Sequence, residues 1–347
     1  MKNALFLIAL ICGFYATAGD FKAHFINVGQ ADATLLEFSK GVVMIDAGGE
    51  VGSVGSSRES LTAYLKTFYE RRTDLNKTID VLILTHNHYD HISLISDLSK
   101  EYVIKRVITS NFELKPYVKK TAKDEKIKLE LLDYKRMDSL MPKGYEIKLA
   151  SLVRTGETVP QLFLYSGEIS VKKKHTVNNE VFTPTAFKNP NNNSIVSKLI
   201  YGSTSLLFTG DLEKEGQDYL MAKYHDHLDL FNVDFYHVGH HGAVNGTTKK
   251  LLDVMSPKIA LISAGDTSHT NKGSAWDHGH PRTSTVELLN TQASMSDRNQ
   301  MQTVHAYLKE ESIPQPLEIK KEIYCTCWSG TITMQVNSAG KYTVLAE

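Results

Sequence analysis

Val81-Leu82-Ile83-Leu84-Thr85-His86-Asn87-His88-Tyr89-Asp90-His91 is the stretch that decides how this chain is read. A short apolar run bounded by polar residues has the length and composition of a buried strand. Directly after it, His86, His88, Asp90 and His91 place four metal-capable side chains within six residues. A strand delivers its last residues to one edge of a sheet, and a tight loop there can aim several donors at one point. His86 and His88 are two apart and can face the same way. Asp90 and His91 lie one step further on, where they can serve a second ion. Neutral imidazole and carboxylate are the ligands expected for zinc or a neighbouring first-row metal, and two adjacent ions suit hydrolysis.

Around this stretch the composition is that of a globular chain: 347 residues, 41% hydrophobic, can bury a full core. Lysine plus arginine (39) balance aspartate plus glutamate (39), which excludes a protein that holds nucleic acid mainly by bulk positive charge. Lys2, an apolar stretch from Ala4 to Tyr15 and then Ala16-Thr17-Ala18-Gly19 read as a signal peptide over 1–18, cleaved after Ala18. The apolar stretch is shorter than the roughly 20 residues that span a bilayer. The expectation is a periplasmic or secreted chain over 19–347 with no stable membrane insertion once the signal is removed. Ile11 is too large for a lipoprotein site at Cys12, so Cys12 leaves with the signal. Cys325 and Cys327, two apart on an expected strand, are free or joined to each other, and the core must hold the chain together.

Phe21 to Val28, Ala33 to Phe38 and Val42 to Ile45 read as adjoining strands of one sheet. Leu61, Tyr64, Leu65 and Phe68 follow helical spacing, with Ser56 and Glu59 in the form of a capping box ahead of them. A short helix through Leu94, Ile95 and Leu98 and a strand from Val103 to Ile108 follow the histidine stretch. The second half repeats the logic. A strand from Ser205 to Thr209 ends at Gly210-Asp211, a helix covers Gln217 to Tyr224, and a strand from Val233 to Val238 ends at Gly239-His240-His241-Gly242. Asp80 and Asp234 each open an apolar run that ends in histidine, which hints at two pseudo-equivalent halves meeting at one site. Ile259 to Ile262 is a further strand, Val286 to Leu289 a helix after Gly279-His280-Pro281, and three late strands lie near Ile323 to Trp328, Thr331 to Val336 and Lys341 to Leu345. The lysine-rich text near 111–190 reads as a variable insertion that continues the sheet and shapes a pocket.

The spacing of His86, His88, Asp90 and His91 resembles the His-x-His-x-Asp-His signature of the metallo-β-lactamase superfamily. Further segments narrow the likeness: Phe25 to Ala33, Ile45-Asp46-Ala47-Gly48-Gly49, Asn192-Asn193-Ser194, Phe208-Thr209-Gly210-Asp211, Val238 to Gly242 and Gly279-His280-Pro281. In that order they are similar to the hydrolase domain of the ComEC-like (DNA-internalisation competence) branch, which includes exported phosphorylcholine esterases. The resemblance spans Phe21 to Asp97 and Asn191 to Asn290. It implies an α/β fold, the αββα sandwich of two mixed sheets with the metal site at their shared edge. It also implies two zinc ions, with manganese or iron as substitutes. His86 and His88 would hold one ion, Asp90, His91 and His241 the other, and Asp211 would bridge them. Asp46 would orient a metal-binding histidine through its second ring nitrogen. His240 would face the substrate. His280 is the rival of His241 for the last ligand position, or else a group that binds phosphate. Where many members carry a further histidine before the Gly-Asp motif, this chain has Asn192 and Asn193, so Asn192 becomes a candidate substrate-binding residue.

The activity implied is that of an exported dinuclear zinc hydrolase acting on a phosphodiester, in nucleic acid or a choline-bearing polymer. A hydroxide between the ions would attack phosphorus while His240 or His280 stabilises charge or protonates the leaving oxygen. No partner protein is implied. A β-lactam or lactone hydrolase is the rival enzyme, and a non-catalytic metal or ligand-binding module the rival of another class. His24 and His237 are expected as core or edge residues, and His175, His225, His227, His269 and His305 in water, with His278 a possible assistant to His280.

Overall fold

The computed structural model describes residues 20–110, 112–166, 174–308 and 313–346. The expected signal peptide over 1–18 and the side chain of His175 lie outside the described residues. Two sheets face one another. The first has eight strands in the order Tyr342–Ala346, Ile332–Val336, Phe21–Phe25, Thr34–Glu37, Val42–Ile45, Val81–Leu84, Arg106–Ser110, Lys128–Leu132. The second has seven, in the order Ile323–Cys325, Ile259–Ile262, Phe235–His237, Thr204–Phe208, Ile195–Tyr201, Gln161–Ser166, Tyr145–Lys148.

Strand alternation sorts the apolar side chains into three layers. Val81 and Ile83 point into the core between the sheets, where Phe25, Val43, Phe208, Phe235 and Leu261 meet them. Leu82 and Leu84 point the other way and pack with Leu61, Leu65 and Phe68 of the helix Val54–Arg71. In the second sheet, Tyr236, Ala260 and Ile262 pack outward against Leu220, Leu251, Leu252 and Val286 of three further helices. Helix, sheet, sheet, helix is the expected αββα sandwich.

Val42–Ile45, Val81–Leu84 and Arg106–Ser110 pair in parallel in the first sheet, as do Thr204–Phe208, Phe235–His237 and Ile259–Ile262 in the second. Parallel strands buried on both faces need unbroken apolar runs, and helical crossovers to join them. The two aspartates that open the matching strands play the same part. Asp80 accepts the backbone N–H of Val42 and pairs with Lys105, while Asp234 accepts that of Ser205 and pairs with Lys258.

Several elements differ from the sequence expectation. The helix begins at Val54, so Ser56 and Glu59 lie inside it and form no capping box. The neighbouring Ser57 hydroxyl instead joins Glu50 N to Val28 O. The strand expected from Ile323 to Trp328 ends at Cys325, because the Thr326 hydroxyl binds both N–H and C=O of Ala264 and a helical turn Thr326–Ser329 follows. Cys325 and Cys327 are joined to each other. The segment from 112 to 190 supplies the edge strand Lys128–Leu132 to one sheet and Tyr145–Lys148 and Gln161–Ser166 to the other, plus a hairpin of His175–Val177 with Glu180–Phe182. An antiparallel ribbon of Asp297–Tyr307 and Pro314–Lys321 was not anticipated. Among the described residues, no helix is long and apolar enough to cross a membrane.

Candidate metal centre

Most side chains of the centre come from the ends of strands that pair in parallel. Thr85 to His88 continue from Val81–Leu84, and the short helix Tyr89–Ile92 carries Asp90 and His91. Asp46 follows Val42–Ile45, Asp211 follows Thr204–Phe208, and His240 and His241 follow Phe235–His237. Asp46, His240 and His241 are all left-handed, with φ of 58°, 52° and 52°. Non-glycine residues adopt this region at a cost, and they cluster where a site demands it. Gly48 is required for another reason: a Cβ there would lie 1.5 Å from the carbonyl oxygen of Asp90.

The donors form two groups that share one carboxylate. His86, His88 and Asp211 offer atoms within 4.8 Å of one another, and so do Asp32, His91, Asp211 and His241. Asp211 stands between them: its Oδ1 lies 3.2 Å from His91 Nε2, and its Oδ2 3.8 Å from both His86 Nε2 and His241 Nε2. Asp90 Oδ2 is 3.2 Å from His241 Nε2 and 3.9 Å from His91 Nε2, on the His91 side. His240 Nε2 also lies 3.8 Å from Asp211 Oδ2, with its ring one-fifth exposed. His280 belongs to neither group.

The ring orientations are those of ligands. His91 Nδ1 donates to Asp46 Oδ2 at 2.8 Å, and His241 Nδ1 donates to the Ser263 carbonyl at 2.9 Å, so each ring turns its Nε2 toward Asp211, and as a neutral imidazole would offer a lone pair there. Asp46 is fixed in turn by Thr85, through its backbone N–H and its hydroxyl. Buried polar atoms almost always have partners. Here His86 Nε2, His91 Nε2 and Asp211 Oδ1 are buried with no hydrogen-bond partner, and both ring nitrogens face the Asp211 carboxylate. These residues fit a pair of divalent cations.

Charge agrees with that fit. Burial opposes ionisation of Asp211, yet His91, His241 and His240 outweigh it and hold the carboxyl well below its ordinary value. For Asp32 burial is likewise outweighed by His237, His241 and His91, and its pKa falls to about 2. Burial disfavours protonated His241, but Asp211, Asp32 and Asp90 win and raise it to about 9. His86 goes the other way, kept neutral by burial and by His91. The carboxylates thus collect positive charge, which cations supply when the rings are neutral ligands.

Some participants escaped the sequence reading. Asp32, in the loop after the first strand, sits 3.8 Å from His91 Nδ1, 3.9 Å from His241 Nδ1 and 3.4 Å from His237 Nε2, behind the rings rather than among their ligating atoms. His237, placed in the core as expected, bonds the Ser263 hydroxyl and so belongs to this backing layer. Asn192 is occupied elsewhere: its amide oxygen accepts from Gly216 N and its NH2 donates to Ala186 O. The asparagine that reaches the cluster is Asn191, whose NH2 bonds Glu213 and lies 3.5 Å from His240 Nε2. His278 is exposed, with its ring 5.7 Å from that of His280.

The profile of the Metallo-beta-lactamase superfamily matches residues 26–266, which take in both donor groups, and the chain belongs to that superfamily of metal-dependent hydrolases. More particularly, it is 29% identical over 272 residues to ComE operon protein 3 of Bacillus subtilis (strain 168), covering 76% of this chain and 30% of that protein. It is also 29% identical over 117 residues to competence protein ComA of Neisseria gonorrhoeae, covering 33% of this chain and 16% of that one. The matches therefore span less than a third of either relative's length. Among solved structures, the metallo-beta-lactamase fold protein YhfI of Bacillus subtilis is 12% identical with a TM-score of 0.38, covering 70% of this chain and 85% of that one.

Proposed function

We propose that this chain is an exported phosphodiesterase that works with two zinc ions. The observation that carries the proposal is the shared carboxylate. Asp211 closes one donor group with His86 and His88 and the other with His91, His241 and the backing Asp32. Divalent ions held by these residues would supply a water ionised near neutral pH and would neutralise charge on a phosphoryl group. Manganese or iron would serve the same ligands. The chain's own residues do the rest: Asp46, Thr85 and Ser263 hold the rings in register, and the backing layer of Asp32 and His237 keeps them from turning. His240 and His280, with ring centroids 5.6 Å apart, stand beside the cluster where a bound substrate meets it. The phosphodiester is favoured over a lactam by the likeness to the two competence relatives. Export is supported by the apolar stretch ahead of Ala16-Thr17-Ala18.

The zinc-loaded chain is expected to hydrolyse bis(p-nitrophenyl) phosphate, and His88→Ala and Asp211→Ala to lose about 10²-fold or more in kcat/KM. Faster turnover of a chromogenic cephalosporin than of the phosphodiester would reverse the choice of substrate. Single-stranded DNA and phosphorylcholine esters are the arms that separate nucleic acid from a choline-bearing polymer. N-terminal sequencing of the secreted protein should begin at Gly19, and an intact Met1 on material outside the cytoplasm would refute cleavage.

A further inference from the structure

We propose that Gln30 fixes His280 in the Nε2–H tautomer, so that His280 serves the site as a hydrogen-bond donor to substrate and not as a metal ligand. The proposal rests on the hydrolase reading above and deepens it. Gln30 is buried in the loop after the first strand, and its backbone N–H is anchored on the buried Glu50 carboxylate at 2.8 Å. Its side chain bridges two groups: Oε1 accepts from the backbone N–H of Gly265 at 3.3 Å, and Nε2 lies 2.9 Å from His280 Nδ1. A backbone N–H can only donate, so the amide oxygen must face Gly265 and the NH2 must face His280. An amide NH2 can also only donate. His280 Nδ1 therefore accepts, and a neutral ring with an accepting Nδ1 carries its proton on Nε2.

That assignment opposes the one at the ligand rings. The Asp46 carboxylate and the Ser263 carbonyl accept, so His91 and His241 each keep a proton on Nδ1, and as neutral rings would offer Nε2 to a cation. His280, its ring centroid 6.4 Å from that of His241, presents N–H instead of a lone pair. Its exclusion from both donor groups agrees. A fixed N–H donor on a buried ring stabilises charge that grows on a substrate oxygen without any proton moving. The loop Ser263–Gly265 thus sets both tautomers, one through a carbonyl and the other through an N–H relayed by Gln30.

Gln30→Glu tests this because it is nearly isosteric and still accepts from Gly265. Its second carboxylate oxygen accepts where the NH2 donated, which draws the imidazole proton to Nδ1 and removes the donor at Nε2. The readout is 15N-histidine NMR of the zinc-loaded full chain, with His280 assigned by difference from His280→Gln. The expected result is Nε2–H in wild type and Nδ1–H in Gln30→Glu. With it, kcat for bis(p-nitrophenyl) phosphate falls about 10²-fold with little change in KM, while His280→Gln keeps the wild-type zinc content. Nδ1–H on His280 in wild type, or loss of zinc from His280→Gln, overturns the proposal. An Nε2–H signal in a chain that cleaves no phosphodiester supports the tautomer and overturns only the choice of substrate.

Discussion

At the scale of single residues, hydrogen-bond partners decide what each imidazole can do. Asp46 offers His91 Nδ1 an acceptor at 2.8 Å while Thr85 occupies its other lone pairs. In Asp46→Asn the oxygen goes to the Thr85 N–H and the new NH2 faces His91. The proton then moves to Nε2, where the cation should bind. Zinc affinity is expected to fall by about 10–100-fold, read by competition with a chromophoric chelator. Unchanged affinity in a folded variant would contradict the role given to Asp46. His86, His88, Asp90 and His91 were legible in the sequence because a local spacing after an apolar strand carries the whole signal. Asp32, Gln30 and Asn191 were not, since each acquires its meaning only from a neighbour brought in by the fold, such as the bond between Gln30 and His280. A backbone acceptor like Ser263 O leaves no mark in the side-chain alphabet at all.

Between elements, one ion cluster ties helix to sheet. Glu37, at the end of the strand Thr34–Glu37, has a nearly buried carboxylate in contact with His24 Nε2 at 3.1 Å, Arg71 at 3.0 Å and Arg72 at 2.7 Å. Burial raises its pKa, but the bonds from His24 and Arg71 win and hold it well below the ordinary carboxylate range. A depressed folded value means that the stabilisation is present above the unfolded pKa of about 4.3 and is lost as pH falls through the folded value. His24 adds to this acid limb. Burial lowers its pKa, so the folded ring resists protonation that the unfolded ring accepts below about 6.5. Glu37→Gln should cost about 2 kcal/mol at neutral pH, less than a fully buried pair because Arg71 is half exposed. Urea melts from about pH 8 down to about pH 3 should show a shallower acid loss in the variant than in wild type. Parallel curves would show that Glu37 is not the titrating group. The apolar strands were readable from their runs. The ribbon of Asp297–Tyr307 and Pro314–Lys321 was not, because much of it is exposed and no apolar run marks it. The early end of the strand at Cys325 depends on Thr326 meeting Ala264, a contact 62 residues away in sequence.

Across the whole molecule, two sheets of similar construction lean together so that the ends of their parallel strands meet. The matching runs after Asp80 and Asp234 showed this pairing in outline. What they could not show is that the first sheet recruits its edge from the far C-terminus, through the pairing of Phe21–Phe25 with Ile332–Val336. The site is a product of that closure. His86, His88, Asp90 and His91 come from the first sheet, while Asp211, His240 and His241 come from the second. Asp211 is the one group common to both donor sets. The most direct test is therefore the number of zinc ions bound per chain at equilibrium, in wild type and in Asp211→Ala. The account predicts two ions in wild type and at most one, weakly held, in the variant. A single ion in wild type, or two retained without Asp211, would contradict it.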